Sequence, residues 1–110
     1  MSSESTKYSK WGLPGGNIEP LKFKLYVVGA SPNSVRAISN LTHFCETLLN
    51  VPYSLEIIDV HQQPSMARRE QIIALPLLIK VEPGPERRLI GDMSVIEKII
   101  KGLGLVPALK

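Results

Sequence analysis

The sequence predicts one α/β domain whose elements run strand, helix, strand, helix, strand, strand, helix. Three observations carry this. Apolar residues alternate with a period of two from Leu21 to Val27, then recur at spacings of three and four from position 32 to position 49. A second apolar strand follows directly, and strand, long helix, strand implies a parallel crossover. Two short apolar runs flank the turn Glu82-Pro83-Gly84-Pro85-Glu86, as in a hairpin, ahead of a last helical pattern. At 110 residues the chain can bury one modest core.

Positions 1–20 are rich in Ser, Gly and polar residues and show neither period, so they are expected to form a flexible tail. Exposure is the expected state of Tyr8 and Trp11 within it. The first strand alternates Leu21, Phe23, Leu25 and Val27 with Lys22, Lys24 and Tyr26. Gly29-Ala30-Ser31-Pro32 breaks it, with Ser31 placed to cap a helix and Pro32 suited to the first helical position. Val35, Ile38, Leu41, Cys45, Leu48 and Leu49 form the expected apolar stripe of that helix, which Asn50-Val51-Pro52 ends.

Positions 53–60 read as a strand that is apolar on both faces, the pattern of an inner strand. Pro64 opens a short helix to about position 73, with Met66, Ile72 and Ile73 apolar and Arg68, Arg69 and Glu70 solvated. Positions 77–81 and 87–91 are the hairpin strands. Ser94 and Glu97 have capping-box spacing, and Val95, Ile96, Ile99, Ile100 and Leu103 form an apolar face that stops near Gly102 and Gly104. The domain is therefore expected over 21–105, with a short tail at 106–110. This βαβαββα order is the thioredoxin-like arrangement. The β-branched residues of the last helix and the prolines from Pro64 to Pro85 leave local preference ambiguous in the second half.

The composition, 44% hydrophobic and 21% charged, is that of a soluble globular domain, and no apolar run forms a signal-peptide core or a membrane span. Cytoplasmic placement is the expectation. A net charge of +3 is too small an imbalance to imply nucleic-acid binding without an aromatic-studded basic stripe. The single cysteine, Cys45, forms no internal disulfide.

Thioredoxin-like oxidoreductases carry Cys-x-x-Cys between the first strand and first helix, where the helix N-terminus activates the nucleophilic thiol and a second thiol resolves the mixed disulfide. Here that loop is Gly29-Ala30-Ser31-Pro32-Asn33-Ser34. Serine cannot replace a thiolate in disulfide exchange, and no resolving cysteine exists. Cys45 belongs to the apolar stripe, so a buried, inert thiol is expected. His43 and His61 lack partners at zinc-site spacing, and no phosphate-cradling loop is present, so no metal or cofactor is expected. Asp59 ends a strand and is expected to cap the following loop. Arg68-Arg69 and Arg87-Arg88 suffice as solvated surface and charged edge; a partner interface is their functional alternative. Leu75-Pro76 occupies the position where thioredoxin-like folds hold a cis proline.

The ordered residues resemble the KaiB family over most of the domain. The matching residues are Leu25-Tyr26-Val27 with Gly29, Pro32-Asn33-Ser34-Val35-Arg36-Ala37, Ile58-Asp59-Val60, Pro64, Ala67, Ala74, Pro76, Lys80, Pro83, Pro85, Arg87-Arg88 and Gly91-Asp92. The resemblance implies a non-catalytic protein that binds a KaiC-like ATPase. It further implies a switch between this thioredoxin-like fold and a resting, usually tetrameric, fold of order βαββααβ with a rebuilt second half. KaiA and a SasA-like histidine kinase are the further partners it implies. On that basis Met66, Arg68, Arg69, Gln71, Arg87 and Arg88 are the expected partner-binding residues. Pro76, Pro83, Pro85, Gly102 and Gly104 are the positions expected to matter for the fold and its switch. Gly102-Leu103-Gly104 and the 106–110 tail depart from the family pattern, and Arg68-Arg69 stand where acids are common in cyanobacterial members; these departures are those of a divergent homologue, inside or outside a true clock, with a circadian or a stress-response output. The competing functions are a thiol or glutathione-binding protein of the same fold class, which the cysteine count opposes, and a sensor module for a histidine kinase.

Overall fold

The computed structural model describes residues 10–72 and 74–108. Its centre is the strand with the clearest period of two, β2 (Leu21–Val27), which is hydrogen-bonded along both edges. A short strand β1 (Trp11–Gly12) and a 3-10 turn (Pro14–Gly16) precede it. Strand β3 (Tyr53–Asp59) runs parallel to β2, and β4 (Leu77–Glu82) runs antiparallel to it. Strand β5 (Arg87–Ile90) pairs antiparallel with β4, giving the order β3-β2-β4-β5. Helix α1 (Pro32–Leu48) makes the crossover from β2 to β3, α2 (Pro64–Arg69) joins β3 to β4, and α3 (Ile96–Gly102) follows the hairpin. A two-residue strand, β6 (Val106–Pro107), comes last. Within positions 21–105 the observed order is the predicted βαβαββα; β1, the 3-10 turn and β6 are additions to it.

Strand alternation divides the core into two layers. Leu21, Phe23, Leu25 and Val27 point with Leu78 towards Ala37, Leu41, Phe44 and Cys45 of α1 and Ile99 of α3. On the opposite face Tyr26, Ile58, Leu77 and Ile79 pack with Met66, Ile72 and Leu75 from α2 and the segment after it. Helix α2 is therefore the cover of a small second layer.

Several expectations are corrected. Strand β3 lies at the sheet edge, because β4 takes the other side of β2; Ile58 is its buried residue, while Ile57 is exposed. The buried stripe of α1 is Ser34, Ala37, Leu41, Phe44 and Cys45, turned from the expected one so that Val35 faces solvent. The turn follows from Ser34, whose hydroxyl is drawn inward to accept from the Val28 amide at 3.0 Å. Helix α2 stops at Arg69, where Glu70 is its C-cap and Gln71 takes a positive φ of 58°. Ile73, in the longer helix expected there, lies outside the described residues. The Ser94/Glu97 capping box is not formed: α3 starts at Ile96 without a side-chain cap, and the Ser94 amide donates to Asp92 Oδ1 at 3.1 Å. Val95 and Ile96 are exposed, leaving Ile99 and Leu103 as the buried residues of that face.

Both supposed tails are different as well. Trp11–Gly12 pairs antiparallel with Val106–Pro107, Asn50 donates its amide to the Trp11 carbonyl at 2.8 Å, and Ala108 donates to the Lys10 carbonyl at 2.7 Å. Trp11 is half-buried and Leu13, 7% exposed, belongs to the main core. Burial of these apolar groups outweighs the cost of ordering the segment. Tyr8 lies outside the described residues.

Candidate functional site

The residues singled out in the sequence fall mainly in two regions, the loop before α1 and the face shared by α2 and β5. In the loop, the Ser34 amide donates to Ser31 Oγ at 3.4 Å, so Ser31 caps α1 as its position predicts. The two hydroxyls, Ser31 Oγ and Ser34 Oγ, are 2.9 Å apart. The polar groups of this turn are thereby engaged with one another at the place where a disulfide exchanger holds its nucleophile. Asp59 ties the turn to the end of β3: its Oδ1 accepts from the His61 amide at 2.9 Å and the Gly29 amide at 3.2 Å. These backbone donors, His61 foremost, hold its carboxyl below the usual carboxylate range. The capping role expected of Asp59 is the one it has.

Cys45 sits inside α1, buried, with its thiol pushed up to about 12 by burial first and by Glu46 second. A thiol reagent is therefore expected to label it only upon unfolding, as followed by mass spectrometry; prompt labelling of the native protein would contradict this. Because the folded value lies above the ordinary 9.0, this contribution to stability is complete below the unfolded pKa and is lost as pH rises towards the folded one. Cys45→Ala should remove that part of the alkaline loss.

On the second face, Arg68 and Arg69 project from α2 into solvent, and Arg69 Nη2 donates to Met66 Sδ at 3.4 Å. Met66 itself is half-buried against the Tyr26 layer, so it anchors α2 as well as flanking the basic pair. Arg88 Nε donates to Glu86 Oε2 at 2.8 Å, and its Nη2 reaches Glu70 Oε1 at 3.4 Å, linking β5 to the C-cap of α2. Gln71 and Arg88 line one cleft of about 270 Å³, floored by Leu77 and Ala74. Met66, Arg68, Arg69, Gln71 and Arg88 thus belong to one side of the sheet.

Arg87 does not join them. As the neighbour of Arg88 on a strand it points to the other face, beside Leu89 and over Gly104. A Cβ on Gly104, whose φ is 68°, would lie 2.9 Å from the Arg87 guanidinium, and one on Gly102 would lie 3.1 Å from Leu89 Cδ1. These glycines allow the segment at the end of α3 to approach β5. Pro76 is buried before β4 and its peptide bond is cis, as expected; the Glu82-Pro83 bond is cis as well. Pro85 is exposed at the hairpin tip.

Three contributors escaped the sequence reading. Ser34 was readable from its three-residue spacing to the cap Ser31. Lys80, 3% exposed, was readable as a cation inside an otherwise apolar strand. The ion pairing of Glu70 and Arg88 had no local signal, since 18 positions separate them.

His43 and His61 are both exposed, and among the described residues no cluster of three His, Cys, Asp or Glu side chains could hold a metal. No described helix is long and apolar enough to cross a membrane.

The family model described as KaiB domain matches residues 24–105. The chain is 47% identical over 83 residues to the circadian clock oscillator protein KaiB of Acaryochloris marina, covering 76% of this chain and 80% of that protein. It is 48% identical over 83 residues to the protein of the same name from Picosynechococcus, with the same shares covered. Among solved structures, the N-terminal domain of Synechococcus elongatus SasA is similar in fold, with a TM-score of 0.64 at 24% identity over 83% of this chain and 90% of that one. Mitochondrial thioredoxin 3 of Saccharomyces cerevisiae is similar with a TM-score of 0.60 at 18% identity, over 74% and 76% of the two chains. The fold is thioredoxin-like.

Proposed function

Since the chain belongs to the KaiB family of circadian clock proteins, we propose that it is a non-catalytic regulator that binds a KaiC-type ATPase and modulates its phosphorylation or signalling output. The observation that carries this reading is the single face holding Met66, Arg68, Arg69, Gln71 and Arg88. Its basic groups are exposed on α2 or border the adjoining cleft, where an acidic partner surface would meet them. The engaged Ser31 and Ser34 hydroxyls and the buried thiol of Cys45 argue against thiol chemistry as the alternative.

Rearrangement of the second half belongs to the same proposal, and two physical features support it. The hydroxyl of Tyr26 is buried in the layer that α2 covers, without a hydrogen-bond partner among the described residues. Ile90, 59% exposed, borders one cleft with the exposed Val95, an apolar surface that another packing or self-association would cover. A KaiA-type protein or a SasA-like histidine kinase would be the further partners, and a dimer or tetramer the self-associated state. Population of a binding-competent state would then lower apparent affinity by its fraction.

The test is co-elution of the full chain with its cognate KaiC homologue in the presence of ATP. A complex is expected, with its loss on Arg69→Glu, since reversing one exposed charge does not disturb the core. Absence of a complex with the unmodified chain after long incubation would overturn the proposal.

A further inference from the structure

The other arginine of the β5 pair points to a second site. Lys80 stands directly opposite Arg87 across the β4–β5 pair. Like charges placed opposite each other on one sheet face repel, and here one of them is almost completely buried. The Lys80 ammonium donates to the Pro83 carbonyl. Neither cation has a carboxylate within ion-pairing distance among the described residues, where Arg36 and Arg88 make the pairs. Buried charges are ordinarily paired.

Both cations open on one cleft of about 220 Å³. Its remaining walls come from Leu13, Pro14 and Asn17 of the N-terminal segment and from the Pro83–Pro85 turn. Asn17 Oδ1 accepts from the Glu19 amide at 2.8 Å, which leaves its Nδ2 donors for the cleft. The bare backbone at Gly104 keeps room around the guanidinium, because any Cβ there would collide with it.

We propose that this cleft binds one oxyanion group, a phosphate or a carboxylate, held between the Lys80 ammonium and the Arg87 guanidinium with Asn17 as a neutral donor. The planar guanidinium suits two oxygens of one anion, and the point charge of lysine suits a third contact. Burial and Arg87 both push the Lys80 pKa down, the penalty that a bound anion would relieve. Leu13, Pro14 and Asn17 lie outside the KaiB match at 24–105, so one wall comes from beyond the matched residues.

The test is thermal unfolding of the full chain titrated with sodium phosphate and, separately, sodium acetate, each against sodium chloride at equal ionic strength. A saturable rise in Tm is expected with at least one of them. Arg87→Gln and Lys80→Met should each weaken it by roughly tenfold or more, the effect of losing one charge-assisted hydrogen bond. Lys101→Gln, an exposed change on α3, should leave it intact. A response to phosphate alone identifies a tetrahedral oxyanion, and an equal response to acetate identifies a carboxylate such as a partner's acidic side chain. Amide shifts of Gly84 and Gly104 in NMR spectra should follow the same saturation curve. No saturable response to either anion, or one unchanged in both Arg87→Gln and Lys80→Met, overturns the site.

Discussion

Phe23→Ala is expected to lower the unfolding free energy by roughly 3–5 kcal/mol, the range for truncating a buried aromatic side chain. Phe23 is 1% exposed at the middle of β2, and its backbone is fixed on both sides by β3 and β4. A strand held along both edges cannot shift far to close the cavity, so most of the loss should survive relaxation. Domains of this size are stable by only about 5–15 kcal/mol, which would leave the variant near the threshold of folding. Urea denaturation would show a lower midpoint with an unchanged slope. Ile57→Ala, at an exposed position of edge strand β3, should cost no more than about 0.5 kcal/mol by the same measurement. Equal losses at the two positions would contradict the layer assignment.

Leu13→Ala is expected to cost about 2–3 kcal/mol, the lower part of the range for buried leucine because a chain end can relax around the gap. Leu13 contacts the core that contains Leu49, Val51 and Leu105, while the neighbouring Trp11 pairs with Pro107 and accepts from Asn50 through its carbonyl. The loss should come with faster proteolytic cleavage before residue 20, since β1 and β6 stabilise each other. A free tail would show neither effect. The two outcomes separate docking from disorder by denaturation and by limited proteolysis on the same sample.

Local patterns carried most of the fold. Alternation over Leu21–Val27 and the Ser31-Pro32 start of α1 are signals within a few residues of each other, and both elements stand where they were expected. The same locality explains the misses. A two-residue strand such as Trp11–Gly12 has no period to detect, and its partner at Val106–Pro107 is far along the chain. Strand β3 is apolar enough for an inner strand, but its place is decided by which edge of β2 the antiparallel β4 occupies. Ser94 and Glu97 had the spacing of a capping box, yet Asp92 bonds the Ser94 amide first and starts the turn instead.

For the candidate site, the basic pairs were legible as residues and not as surfaces. Arg68 and Arg69 were correctly expected in solvent on a short helix. Residue order alone determined that the chain lacks a paired cysteine, that an inert serine turn opens α1, and that strand, helix, strand forms a crossover. Tertiary structure decided that Arg88 turns towards α2 while Arg87 turns towards Lys80 and Gly104. The physical reason is that adjacent residues of a strand face opposite layers, and which layer each meets depends on helices packed from distant parts of the chain.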